Sequence, residues 1–244
     1  MELIPGVIEG FGGALDLRAE GSTRGPHEEM AVGSDPESSA TRSWTQYMAE
    51  RHGDTCHLDI IDRWGNMVSA TPSGGWLNGA PVVPGLGFCV SVRGQMFSLD
   101  PDHPNGLAAK KRPRTTLTPS LALKSGEPYL AFGTPGGDQQ DQWALHAFLR
   151  HVHHGMNLQQ ACDAPGFYTN HMPSSFYPHE WAPGHLAVEA GFSHETLASL
   201  HQRGHRLEVY PQWGQYNSVT MATREAGVLR AGASPRRACH AIGR

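Results

Sequence analysis

Three short stretches of this 244-residue chain hold the residue types that nucleophilic chemistry needs. Asp54-Thr55-Cys56-His57 sets a hydroxyl, a thiol and an imidazole side by side at the start of a strand-like run. Thr115-Thr116 offers paired hydroxyls just after Lys111-Arg112-Pro113. Gly133-Thr134-Pro135-Gly136-Gly137 joins a strand-like run to a helix-like one. A hydroxyl is a weak nucleophile until a base takes its proton. Taken singly, each stretch has a plainer explanation: a β-branched threonine suits a pleated strand, and Pro-Gly-Gly makes a tight turn. Together they point to more than structure.

Neighbouring candidates are weaker. Adjacent strand residues point to opposite faces, so Thr55 and Cys56 cannot line one pocket, and Cys56 is expected as a buried core thiol. His146, His151, His153 and His154 share one helix-like segment, but no acidic or cysteine partner stands at ligand spacing, so a solvated helix face is expected. Trp64 and Trp76 flank turns and are read as packing residues, with Trp76 alternatively a wall of a substrate pocket. The four cysteines, Cys56, Cys89, Cys162 and Cys239, lie far apart and read as reduced, structural thiols.

The elements that would hold these residues follow from periodicity. Leu17 to Arg42 is poor in large apolar residues and reads as a mobile linker. Ser43 to His52 reads as a short amphipathic helix stopped by Gly53. A β-hairpin begins at Thr55, with Leu58 and Ile60 on one face, Ile61 on the other, and a turn over Asp62 to Asn66 before Met67 to Thr71. Further strands are expected at Phe88 to Val92, Ser120 to Lys124 and Tyr129 to Gly133, forming an antiparallel meander. Asp138 is expected to cap a helix running to His154, with Trp143, Ala144, Ala147, Phe148 and Val152 on its apolar stripe. Asn157 to Asp163 and Ser193 to Arg203 are shorter helices. Arg206 to Tyr210, Asn217 to Ala222 and Val228 to Ala231 complete the strands. Strands, then helices, then strands give a layered α+β domain over 54–244, preceded by 1–53.

Composition narrows the functional classes. With Gly 29 and Pro 18, short elements joined by tight turns are favoured over a helical bundle. The apolar runs fall far short of the roughly 18 residues that cross a bilayer, so no membrane partner is expected. A formal net charge of −4 gives no field for nucleic acid, and Lys110 to Arg114 is too short a basic cluster to supply one. The acidic Glu2 and the lack of a basic-then-apolar opening run argue against a secretory signal and favour a cytoplasmic setting.

The combination DTCHLDIIDRWGNMVSATPSGGW, KRPRTTLTPSLAL and FGTPGGDQQ, in that order and spacing, resembles the small catalytic half of the gamma-glutamyltranspeptidase (glutathione hydrolase) family. Looser similarity continues through LQQACDAP, Gly204-His205 and the closing ASPRR, so the likeness covers roughly residues 54 to 240 and is nearest to the shorter, lid-lacking bacterial branch. The resemblance implies an N-terminal nucleophile hydrolase fold, a four-layer αββα sandwich that would be incomplete in this chain, produced by self-cleavage of a proenzyme. It implies that Thr55 is the nucleophile, freed by cutting the Asp54–Thr55 bond, with its own new amine as base. It implies that Gly136 and Gly137 form the oxyanion hole, that Ser73 bonds the nucleophile, and that Thr115 and Thr116 replace a serine pair that binds the substrate's α-carboxylate.

The same matching shows departures. Gly75 stands where the family has an asparagine for the substrate's α-amino group, and Arg93-Gly94-Gln95-Met96-Phe97 lacks the usual acidic residue before its phenylalanine. Only 54 residues precede Thr55, where the family has a large subunit bearing its carboxylate-binding arginine. Three readings are therefore carried forward. The first is acyl transfer from a γ-glutamyl or related amide to water or an amine, with a separate large subunit or a homo-oligomer as partner. The second is a truncated, catalytically weak or inactive homologue; the third is a module that binds a small amide. Threonine, amine and backbone donors suffice for the first, so neither cofactor nor metal is expected.

Overall fold

The computed structural model describes residues 55–75, 80 and 82–243. The expected linker at 17–42, the helix at 43–52, Asp54 and Trp76 lie outside the described residues. The order is β1 (Leu58–Ile61), β2 (Met67–Ala70), β3 (Ser120–Lys124), β4 (Glu127–Gly133), α1 (Gln140–Val152), α2 (Leu158–Asp163), β5 (Phe167–Tyr168), β6 (His185–Glu189), α3 (His194–Gln202), β7 (Arg206–Tyr210), β8 (Thr220–Glu225) and β9 (Val228–Ala233).

Turn chemistry sets the two hairpins that matter most. In the first, Asp62 accepts from the backbone N–H groups of Trp64 and Asn66 and from the Asn66 amide, while Gly65 takes φ +92. That closes β1 on β2 in the register Leu58 opposite Ala70. In the second, Ala226 and Gly227 both take positive φ between β8 and β9. The main sheet runs β3-β4-β8-β9, all antiparallel. Its central strand β4 is buried along Tyr129 to Gly133, as a strand covered on both faces must be.

Helices α1 and α2 cover one face of this sheet. Leu130, Phe132 and Met221 meet Trp143, Ala144, Ala147, Leu158 and Ala161 in the main core. Each fully buried large side chain there contributes about 1.5–3 kcal/mol. On the other face β1 and β2 pack across β4 and β8. The described residues thus build an α, β, β stack. A third sheet, β5-β6-β7, has a parallel β6–β7 pair crossed over by α3, with Leu197 seated on Val188 and Leu207. A mixed sheet was not anticipated by the meander expectation, nor was β6.

Other local expectations also change. Phe88 to Val92 is not a strand: Val82 and Cys89 form one isolated bridge, and Ser91 instead caps a 3₁₀ turn over Val92–Met96. Flanking glycines at 85 and 87 with positive φ bend the chain too tightly for a ladder. Asp138 does not cap α1; Gly136 stands before the 3₁₀ turn Gly137–Gln139 that leads into it, and the Asp138 carboxylate accepts from Ser174 and Ser175. Asn157 forms a full capping box with Gln160 and Ser193 caps α3, both helices standing where expected.

The outer face of the β1–β2 hairpin is apolar and bare among the described residues. Leu58 is 42% exposed, Ile60 56% and Val68 49%, because His57 and Asp59 take the inward positions. Cys56 is consequently exposed, not a core thiol. Trp64 is also exposed, with the Arg63 guanidinium over its ring, so it does not act as a packing residue.

The histidines on and just beyond α1 divide. His153 and His154 are solvated, whereas His151 lies between the Tyr129 hydroxyl and the Met156 carbonyl, and His146 stacks on Phe167 at 3.8 Å. Burial, reinforced by Arg150, pushes the His146 imidazole down to about 4. It therefore stays neutral when folded but charges near pH 6.5 when unfolded. Its contribution is present above pH 6.5 and is lost as the pH falls toward 4, by up to about 3 kcal/mol. Urea unfolding of His146→Phe is expected to depend less on pH across that window than the parent does.

Candidate active site

Thr55 stands three residues before β1, and its Oγ1 lies 2.6 Å from Ser73 Oγ, just beyond β2. The hairpin brings the two hydroxyls together: Cys56 N–H donates to the Pro72 carbonyl, continuing the β1–β2 pairing. The Arg93 guanidinium in turn donates to Ser73 Oγ.

Beneath Thr55 lies a buried polar floor. The His57 ring bonds Thr71 Oγ1 at 2.7 Å through Nδ1 and Asp59 Oδ2 at 3.0 Å through Nε2, and Thr220 donates to the same carboxylate oxygen at 2.7 Å. The His57 and Asp59 side chains are almost wholly buried. This network joins β1 and β2 to β8. Gly133, the last residue of β4, lies directly under the imidazole: a Cβ there would come within 2.4 Å of His57 Cε1. The contact sets the end of β4, and the loop that follows it, at the same end of the sandwich as Thr55.

That loop carries the glycine pair. Gly136 has φ 137 and ψ 34, and Gly137 has φ 65. A Cβ on Gly136 would fall 2.4 Å from Trp143 Cζ3 on α1. Backbone and packing both demand glycine here. Gly136→Ala is expected to lower stability by about 1–3 kcal/mol, which calorimetric unfolding checks.

Gln140 ties the pair to the threonines. Its amide Nε2 donates to the Gly137 carbonyl at 3.1 Å and to Thr116 Oγ1 at 3.4 Å, and the side chain is buried. Thr116 is buried beside it, while Thr115 is exposed and its hydroxyl accepts from Leu117 N–H. The structure therefore joins Thr55 with Ser73, and Thr116 with Gly137, as two linked pairs. Thr115 points its hydrogen bonding back into its own loop. Arg93, Gln140 and the His57–Asp59 pair were missed from the sequence, although FGTPGGDQQ and TCHLD contain three of them. Among the described residues no group of three His, Cys, Asp or Glu side chains is placed to hold a metal ion.

The layering is that of the N-terminal nucleophile hydrolases. A solved cephalosporin acylase from Bacillus halodurans is 28% identical and superposes with a TM-score of 0.62, over 87% of this chain and 40% of that one. The chain belongs to the gamma-glutamyltranspeptidase family, whose sequence profile matches residues 26–243. A solved structure of LmbA2991HD is 50% identical, with a TM-score of 0.71, over 79% of this chain and 34% of that one. The glutathione hydrolase-like YwrD proenzyme of Bacillus subtilis (strain 168) is 34% identical over 197 residues, 78% of this chain and 36% of that protein. The chain thus spans about a third of the length of such relatives.

Proposed function

We propose that this chain is the nucleophile-bearing part of an amide acyltransferase or hydrolase. The carrying observation is the 2.6 Å contact between the Thr55 and Ser73 hydroxyls at the head of the inner hairpin. Thr55 Oγ1 attacks the Asp54 carbonyl, and the C–N bond breaks as an ester forms. Water then opens the ester, leaving Thr55 with a free amine. In each turnover that amine takes the Oγ1 proton, Oγ1 attacks the donor amide, and the proton passes to the leaving amine. The Gly136 and Gly137 N–H groups stabilise the oxyanion, and water or an amine releases the acyl group. Thr115 and Thr116 line the donor side, and the donor is a γ-glutamyl or related amide. Four free thiols fit a cytoplasmic setting.

N-terminal sequencing tests the reading. The purified chain is expected as two pieces, residues 1 to 54 and 55 to 244, with release of 4-nitroaniline from a γ-glutamyl or related anilide. A chain that begins only at Met1 and releases none defeats it.

The bare apolar row of Leu58, Ile60 and Val68 favours a second reading of the working form. In it a separate large subunit or a second copy covers the outer face of the hairpin before turnover begins.

A further inference from the structure

The 3₁₀ turn Val92–Met96 does two things beside the Thr55–Ser73 pair. It delivers the Arg93 guanidinium onto the Ser73 hydroxyl. It also sets Val92 so close to Gly75 that a Cβ there would come within 2.6 Å of Val92 Cγ1. Gly75 additionally takes φ +93, so a side chain at this position is excluded twice. One turn therefore brings a cation to the nucleophile and removes any neutral polar side chain from position 75.

Arg93 is built into the wall. Its guanidinium carbon lies 5.6 Å from the centre of the Phe176 ring, and its Nη1 lies 3.8 Å from Met96 Sδ. Stacking and sulfur contact hold the planar fork while it bonds Ser73. Since Thr55 and Arg93 both bond the one hydroxyl of Ser73, the guanidinium lies within about 5 Å of Thr55 Oγ1.

Resting on the function proposed above, we infer that Arg93 binds a carboxylate carried by the acyl group, and that the preferred donors are amides of short dicarboxylic acids. When Thr55 Oγ1 attacks a carbonyl carbon, a carboxylate attached directly or through one methylene reaches Arg93 in an extended conformation. The α-carboxylate of a γ-glutamyl group stands four bonds from the scissile carbon and must fold back to make the same contact. A guanidinium suits this task because its charge-assisted bonds to a carboxylate are short and directional.

The test uses the whole 244-residue chain as wild type, Arg93→Met and Arg93→Lys. Calorimetric titration with malonate, which needs no turnover, is expected to show binding that acetate lacks. Arg93→Met is expected to weaken it about 100-fold, and Arg93→Lys, which keeps the charge without the fork, by less. In parallel, kcat/KM for malonyl 4-nitroanilide is expected to exceed that for the γ-glutamyl anilide, an order that collapses in Arg93→Met. Unchanged malonate affinity in Arg93→Met, or no malonate binding by the wild type, overturns the inference. So does a γ-glutamyl preference that Arg93→Met leaves in place. Malonate binding lost in Arg93→Met without any turnover upholds the inference and removes the proposed reaction instead.

Discussion

Thr55→Ala is expected to remain a single 244-residue band and to lose at least about four orders of magnitude in turnover. Both results come from one atom. Under the proposed mechanism, without Oγ1 nothing attacks the Asp54 carbonyl, so the peptide bond persists, and nothing attacks a donor amide. Losses of this size accompany removal of a nucleophile, because the remaining oxyanion donors and binding contacts supply only the residual rate. Thr55→Ser keeps the hydroxyl and is expected to be cleaved, with slower turnover because the lost methyl loosens the rotamer that faces Ser73. A denaturing gel and an anilide assay on the same samples check both. Full-rate turnover by Thr55→Ala would assign the chemistry to another group.

Arg236→Met is expected to cost about 3–5 kcal/mol of stability, with a matching drop in the urea midpoint. The reason is the carboxylate it leaves behind. Glu189, at the end of β6, is wholly buried and accepts from Gly166 N–H, Gln215 N–H, and Arg236 Nε and Nη2, at 2.6–3.0 Å. The same guanidinium donates to the Cys162 and Ala164 carbonyls at the end of α2. Arg150 closes the neighbouring carbonyls of Ala161 and Pro165, and burial beside Arg236 holds its own guanidinium down at about 10. Replacing Glu189 by Gln in the Arg236→Met background is expected to recover part of the loss, since the stranded charge is then gone. Equal stability of single and double variants would show that the carbonyls, not the carboxylate, set the cost.

The parts of this fold that were legible in the sequence are those specified locally. Asn157 with Gln160, Ser193 with Thr196, and the Asp62–Asn66 turn carry their own hydrogen-bonding partners within a few residues, so their elements appear where expected. Strand β6 was not legible: its burial depends on a parallel pairing with β7 and on Arg236, which lies 47 residues beyond Glu189. The inner hairpin misled for a related reason. Alternation marks Leu58 and Ile60 as the face to bury, yet the polar set His57, Asp59, Thr71 and Thr220 occupies the interior, bonded through one oxygen of the Asp59 carboxylate and the two ring nitrogens of His57. Residue types alone do not reveal such a network, because Thr220 is supplied by the far end of the chain. Among the candidate site residues, Thr55 and the glycine pair were singled out by their motifs. Arg93 was not, because a 3₁₀ turn, which periodicity reads as loop, aims it.

The polar floor imposes an order of events on biosynthesis. Thr55 finds Ser73 only 18 positions away, but the carboxylate at Asp59 receives the Thr220 hydroxyl from 161 positions downstream. A ribosome must therefore have released most of the polypeptide before that seat is complete. Under the proposed mechanism, scission that needs this floor comes late, after the C-terminal hairpin has folded into place.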